Sequence, residues 1–153
     1  MRDLEQLVIL PKVPSELIRV AIEDIRQTIK DGIEIDMEYW GSGKNSNDPQ
    51  SCSVCMAGAV MLQRGLSKNI APDDFDFLGD NEKQYNFLDN IRCGLISTAM
   101  NALDIEEHPF SRLLSNNNWT RCLDDFKTWE EIGADAFLLQ MEGIAKDFEI
   151  IGL

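Results

Sequence analysis

The sequence predicts a mainly α protein: a helical bundle around a central apolar helix at about residues 52–64, with a small β element at about 33–40, for which α+β is the alternative description. Three observations predict it. The stretch from Ser51 to Leu62 carries no charge, and none follows until Arg64; a helix apolar on every side is normally buried. Segments on both sides of it repeat apolar residues at helical spacing with polar residues opposite, and so supply its packing shell. Residues 33–40 alternate apolar and acidic side chains, the period of two that marks a half-buried strand.

Taken in order, Leu4 to Leu10 is an apolar segment that ends at Pro11, and Pro11 with Pro14 reads as an extended lead-in to a helix. Pro14 suits a first-turn position, with Ser15 as an alternative cap. From there Ile18, Ala21, Ile22, Ile25 and Ile29 form an apolar stripe opposite Arg19, Glu23, Arg26, Gln27 and Lys30, and Gly32 stops the helix. In the strand, Ile33, Ile35, Met37 and Tyr39 face inward while Glu34, Asp36 and Glu38 form an acidic comb, with Trp40 closing the run. A lone strand leaves its backbone unpaired, so Leu7 to Leu10 or Phe148 to Ile151 is expected beside it.

Gly41 to Ser51 is polar and rich in turn formers, which predicts a surface loop. Gly65 ends the central helix. Asp80 caps a long helix whose buried stripe is Leu88, Ile91, Leu95, Ala99 and Ala102 or Leu103. Residues 106–118 are irregular. The last helix runs from about Thr128 to Asp147, with Trp129, Ile132, Ala136, Phe137, Met141, Ile144 and Phe148 on a wide apolar surface. Glu131, Asp135, Glu142 and Glu149 fall within a narrow arc opposite.

A chain of 153 residues fits one domain, 1–153, large enough to bury a core without disulfides or metal. With 14 Lys+Arg against 27 Asp+Glu the formal net charge is −13, which opposes direct binding to nucleic acid because that affinity comes from cations on phosphates. The charged start Met1-Arg2-Asp3 lacks the apolar core of a secretion signal, and no apolar run approaches the ~18 residues of a membrane span. A soluble, cytoplasmic protein is expected, and its four cysteines as reduced thiols.

Several patterns touch on chemistry. Cys52 and Cys55 form a C-x-x-C that would lie in the first turn of the central helix, where the dipole favours a thiolate. The burial demanded by Met56 to Leu62 instead makes these thiols packing material. Zinc is the sharper alternative, since Cys93, Cys122 or His108 would complete a shell begun by Cys52 and Cys55, but the second paired half of such a signature is missing. Gly41-Ser42-Gly43-Lys44 evokes a phosphate loop, yet Glu38 stands where a glycine is required and Asn45 where Ser or Thr is required. Asp74 to Gly79 resembles half a calcium loop, but Leu78 and Tyr85 occupy ligand positions. His108 is the only histidine, so any imidazole-centred catalysis would have to use it. No catalytic residue, cofactor or metal is expected.

Charge is unevenly distributed. Residues 1–30 sum to zero, whereas residues 124–153 hold eight acids and two lysines. A patch of that sign steers onto a basic partner, including the DNA-binding face of another protein, or serves only to keep the chain soluble. Trp40 and Lys44 beside the polar loop, with Glu131, Asp135 and Glu142, are the candidate binding residues.

Three blocks, Asp36-Met37-Glu38-Tyr39-Trp40, the C-x-V-C-x-A-G-A-V run from Cys52 to Val60, and Asn86 to Gly94, resemble a group of small uncharacterised proteins encoded by bacteriophages and prophages, over roughly residues 14–104. The resemblance implies a small protein acting inside an infected bacterium and brings no reaction with it. The expected function is therefore an interaction protein that binds a host or phage protein, with self-association through the last helix as an accompaniment. The alternative is a thiol- or zinc-dependent enzyme centred on Cys52, Cys55 and His108.

Overall fold

The computed structural model describes residues 9–37, 41–43, 52–64, 81–105 and 126–153. Among these the chain is mainly helical, with a small sheet beside the helices. Helix α1 (Pro14–Lys30) begins with proline in its first turn, where the missing N–H is no loss. It buries Leu17, Ile18, Ala21, Ile22 and Ile25 as its spacing requires. Ile29 departs from the expected stripe and is exposed, while Asp24 and Thr28 are buried in a second line behind Leu17 and Ala21.

Strand β1 (Glu34–Ile35) is shorter than the alternation suggested, although Ile33 and Met37 are buried and Glu34 is exposed as expected. Glu38, Tyr39 and Trp40 lie outside the described residues. Its partner among the described residues is neither of the expected segments, of which Leu7 and Val8 lie outside the described residues. Strand β3 (Cys52–Val54) pairs with it in parallel, Glu34 opposite Ser53 and Ile35 opposite Val54. Strand β2 (Gly41–Gly43) pairs antiparallel with the other edge of β3, giving the order β1-β3-β2. The residues from Phe148 are helical, and Leu10 donates its N–H to the side chain of Asn81 instead of to a strand.

The central helix α2 (Met56–Arg64) therefore starts later than expected, because the first residues of the apolar run are strand. Cys55 marks the junction: its carbonyl accepts the first helical bond from Ala59, and its thiol accepts from the N–H of Gly58 at 3.5 Å, in the manner of a side-chain cap. Met56, Ala57, Ala59 and Val60 are wholly buried between α1 and the helices that follow.

The long helix expected after Asp80 is two helices, α3 (Glu82–Ile91) and α4 (Ile96–Ala102). Asn81 stands at the cap position, and Asp80 lies outside the described residues. The break is at Gly94, whose φ of +74° no helix accommodates, and it leaves Leu95 exposed instead of in the stripe. A Cβ on Gly94 would stand 2.6 Å from Cγ of Phe126, so the aromatic ring lies directly on the bare backbone.

One termination device recurs. At Gly32, Gly94, Asp104 and Gly152 the residue with positive φ bonds back three positions and its successor bonds back five, which satisfies the last carbonyls of the preceding helix. Helix α5 (Trp129–Ile150) starts with the capping box of Thr128 and Glu131 and buries Phe137, Met141, Ile144 and Phe148 against α1 and α3. Ala136 is exposed, against expectation. A second break interrupts the helix at Gly133 (φ +78°, ψ 174°).

Candidate functional site

The last helix carries most of the residues singled out by charge, and the fold gives each a different employment. Glu131 accepts from the N–H of Thr128 at 2.9 Å while Thr128 Oγ1 accepts from the N–H of Glu131 at 3.3 Å, so its carboxylate caps a helix start. Because Gly133 turns the chain between them, Glu131 does not share a continuous helical face with Asp135 and Glu142. Asp135 is exposed. Glu142 and Glu149, two turns apart, both accept from Arg19 on α1: its Nε lies 3.2 Å from Glu142 Oε1, and its Nη1 binds Glu149. The hydrogen bond from Arg19, then its charge, holds the Glu149 carboxyl below the usual carboxylate range.

Other cations are also turned onto acids of the same chain. Arg64 binds Asp24 at 2.6 Å and approaches Glu23 at 3.6 Å. Arg92 binds Asp89 at 2.7 Å, and Lys83 binds Asp104. Glu16, Glu34, Glu82, Glu130 and Asp135 face outward.

The cysteine locus is of a different character. Cys55 is fully enclosed, and its burial pushes the thiol pKa up against the weaker pull of the Gly58 N–H and of nearby Arg92. A protonated, enclosed thiol is a poor nucleophile and a poor metal ligand at neutral pH. Cys93 is exposed at the end of α3. Among the described residues no group of three His, Cys, Asp or Glu side chains is placed to hold a metal ion. The side chain of Cys52, together with Trp40, Lys44, His108 and Cys122, lies outside the described residues.

Two features escape the sequence reading. A buried polar seam joins α1 to α2: Gln63 donates to Thr28 Oγ1 at 3.2 Å and to Asp31 at 2.9 Å, beside the Arg64–Asp24 pair. Its signal was the polar tail Gln63-Arg64 on an otherwise apolar helix, which had to find partners. A cleft of about 530 Å³ also opens between Ile9 and Lys12, the start of α3 at Glu82, Lys83 and Gln84, and the turn at Leu103 and Asp104. The Lys83–Asp104 pair lies along it, together with Lys12 and Glu82. No described helix is long and apolar enough to cross a membrane.

Comparison with known proteins finds no match: no family model fits the chain, and no curated protein or solved structure is significantly similar to it.

Proposed function

We propose that this is an acidic interaction protein that binds a basic protein partner, host or phage, inside a bacterial cell, where its surface competes with nucleic acid for that partner. The observation that carries the reading is the excess of acids, 27 Asp+Glu against 14 Lys+Arg, of which Glu16, Glu34, Glu82, Glu130 and Asp135 face solvent. Arg19, Arg64, Lys83 and Arg92 are each bound to acids of the same chain, while Lys12, Arg26, Lys30, Lys127 and Lys146 are exposed. With a formal charge of −13 the field beyond the surface is negative, and complementary potentials raise association rates and select partners of opposite sign. The phage and prophage resemblance of residues 14–104 supplies the setting, a small protein acting on the machinery of an infected cell.

The test is affinity capture from infected cells with the native chain and with Glu130→Lys/Asp135→Lys. These acids are exposed and, among the described residues, form no salt bridge. The native chain is expected to retain a basic protein that high salt and added DNA both displace, and the reversed chain to lose it. Equal capture by both chains removes the reading.

A further inference from the structure

Gly133 separates two pieces of helix that nothing else in the sequence divides. Upstream, Thr128 and Glu131 form a complete capping box, a helix start signal, yet the helix it starts lasts one turn. Downstream the chain is regular to Ile150. The turn folds residues 126–132 back on α5: the Lys127 N–H donates to Gln140 Oε1 at 3.0 Å and Gln140 Nε2 donates to the Lys127 carbonyl at 2.9 Å. Unbroken helix would put those residues about 20 Å apart. Phe126 and Trp129 pack on Phe137 with ring centroids 6.1 and 5.4 Å away. Glycine takes positive and helical φ with similar ease, so one residue holds both the turned and the straight state within reach.

The contacts of α5 lie on one side of that residue and their partners on the other. Arg19 holds Glu142 and Glu149, Ser15 holds the Leu153 carbonyl through both its N–H and its hydroxyl, and Phe87 meets Phe148. An α5 from a second copy offers the same side chains in the same order, so every one of these contacts, and those of Phe126, Trp129 and Lys127, is remade when two copies exchange the helix.

We propose that the chain forms an exchanged dimer in which α5, straightened through Gly133, carries its residues 134–150 onto α1 of a second copy. The complementarity is that of the monomer, with two hinges extended instead of turned. Repulsion between two chains of charge −13 opposes the pairing, so added salt favours it.

Gly133→Ala penalises the turn and favours the helix, and is expected to raise the dimer association constant by about tenfold per hinge, roughly a hundredfold per dimer, in sedimentation equilibrium. Gly143→Ala, on the same helix at an open helical position, is expected to leave it unchanged. Mixing separates exchange from side-by-side pairing. Within the Gly133→Ala background, one chain carries Arg19→Glu and the other Glu142→Arg/Glu149→Arg. Each is mismatched with itself, and an exchanged heterodimer restores both α1–α5 contacts, so native mass spectrometry is expected to show the 1:1 mixed dimer in clear excess. A Gly133→Ala chain that stays monomeric at millimolar concentration, or a statistical 1:2:1 mixture, overturns the proposal. Should Gly133→Ala lose its helical circular dichroism, the same mixing on the native hinge at millimolar protein and low ionic strength, where the charge mismatch is not screened, decides by the same two outcomes.

Discussion

Arg64 at the end of α2 sets its Nε 2.6 Å from Oδ2 of Asp24 on α1, with 11 and 6% of the two side chains exposed. Two charges so enclosed stabilise each other, because removing one leaves the other in a medium that solvates it poorly. Arg64→Met is expected to cost about 3–5 kcal/mol in urea unfolding. Restoring neutrality with Asp24→Leu in the same chain should recover a large part of that loss. Lys83→Met, which breaks an exposed pair with Asp104, should cost no more than about 1 kcal/mol.

Gly94 is under two constraints at once, a φ of +74° and a Phe126 ring 2.6 Å from where a Cβ would stand. Gly94→Ala should destabilise by more than the ~1–2 kcal/mol of the backbone conformation alone, since the ring must also move. Gly32→Ala, with φ +80° and nothing within 4 Å, isolates the backbone part. Gly143→Ala lies at a helical φ in open space and should stabilise by roughly 0.5–1 kcal/mol, read as a rise in melting temperature.

Burial, with the charge of Asp24 second, pushes the Tyr85 phenol up to about 12, and burial likewise raises the Cys55 thiol. Both groups keep their protons in the folded chain to a higher pH than in the unfolded one. The stability they lend is whole well below pH 9, the ordinary value of a thiol, and is lost as pH rises past the ordinary values of 9 and 10 towards 12. Tyr85→Phe should flatten the alkaline limb of the stability profile and remove a phenolate absorbance step near pH 12. Phenolate forming at Tyr85 near pH 10 would contradict this account.

On the acid side, Glu149 is held down by its hydrogen bond from Arg19, and Asp31 by those from Gln63 and then Gln27. Their contributions are present above the ordinary values of 4.5 and 3.8 and vanish as pH falls through the lowered ones. Carboxyl carbon shifts followed by NMR should show Glu149 returning to its ordinary range in Arg19→Gln, with Asp31 unmoved.

Thiol accessibility separates two cysteines cleanly. A brief pulse of alkylating reagent on the native chain, mapped by peptide mass, should label Cys93 and spare Cys55 until the protein unfolds. Labelling of both at equal rates would make Cys55 a reactive group.

Helical periodicity revealed which faces of α1 and α5 are covered, because a stripe such as Ile18, Ala21, Ile22 and Ile25 is a local property of the chain. It did not reveal the breaks. Leu88, Ile91, Leu95 and Ala99 keep helical spacing straight across Gly94, and Glu131, Asp135 and Glu142 keep it across Gly133, so a single dihedral overrides a pattern that continues on both sides. Strand pairing was equally hidden. Glu34 meets Ser53 through a long-range choice among short apolar segments, and nothing in either segment names the other. At the candidate site the exposure of Asp135 was legible, whereas the engagement of Glu142 and Glu149 by Arg19 depends on how α1 lies against α5.

The ties between Arg19 and its two glutamates join positions 123 and 130 residues apart, and Ser15 reaches the Leu153 carbonyl across 138. A ribosome adding ~5–20 residues per second delivers Glu142 some ten seconds after Arg19. For that interval one flank of α1 waits uncovered, backed only by elements already synthesised. Docking of the last helix is thus a late, long-range event, and the nascent chain offers its bare apolar flank to chaperones or to neighbouring polysomal copies before that helix arrives.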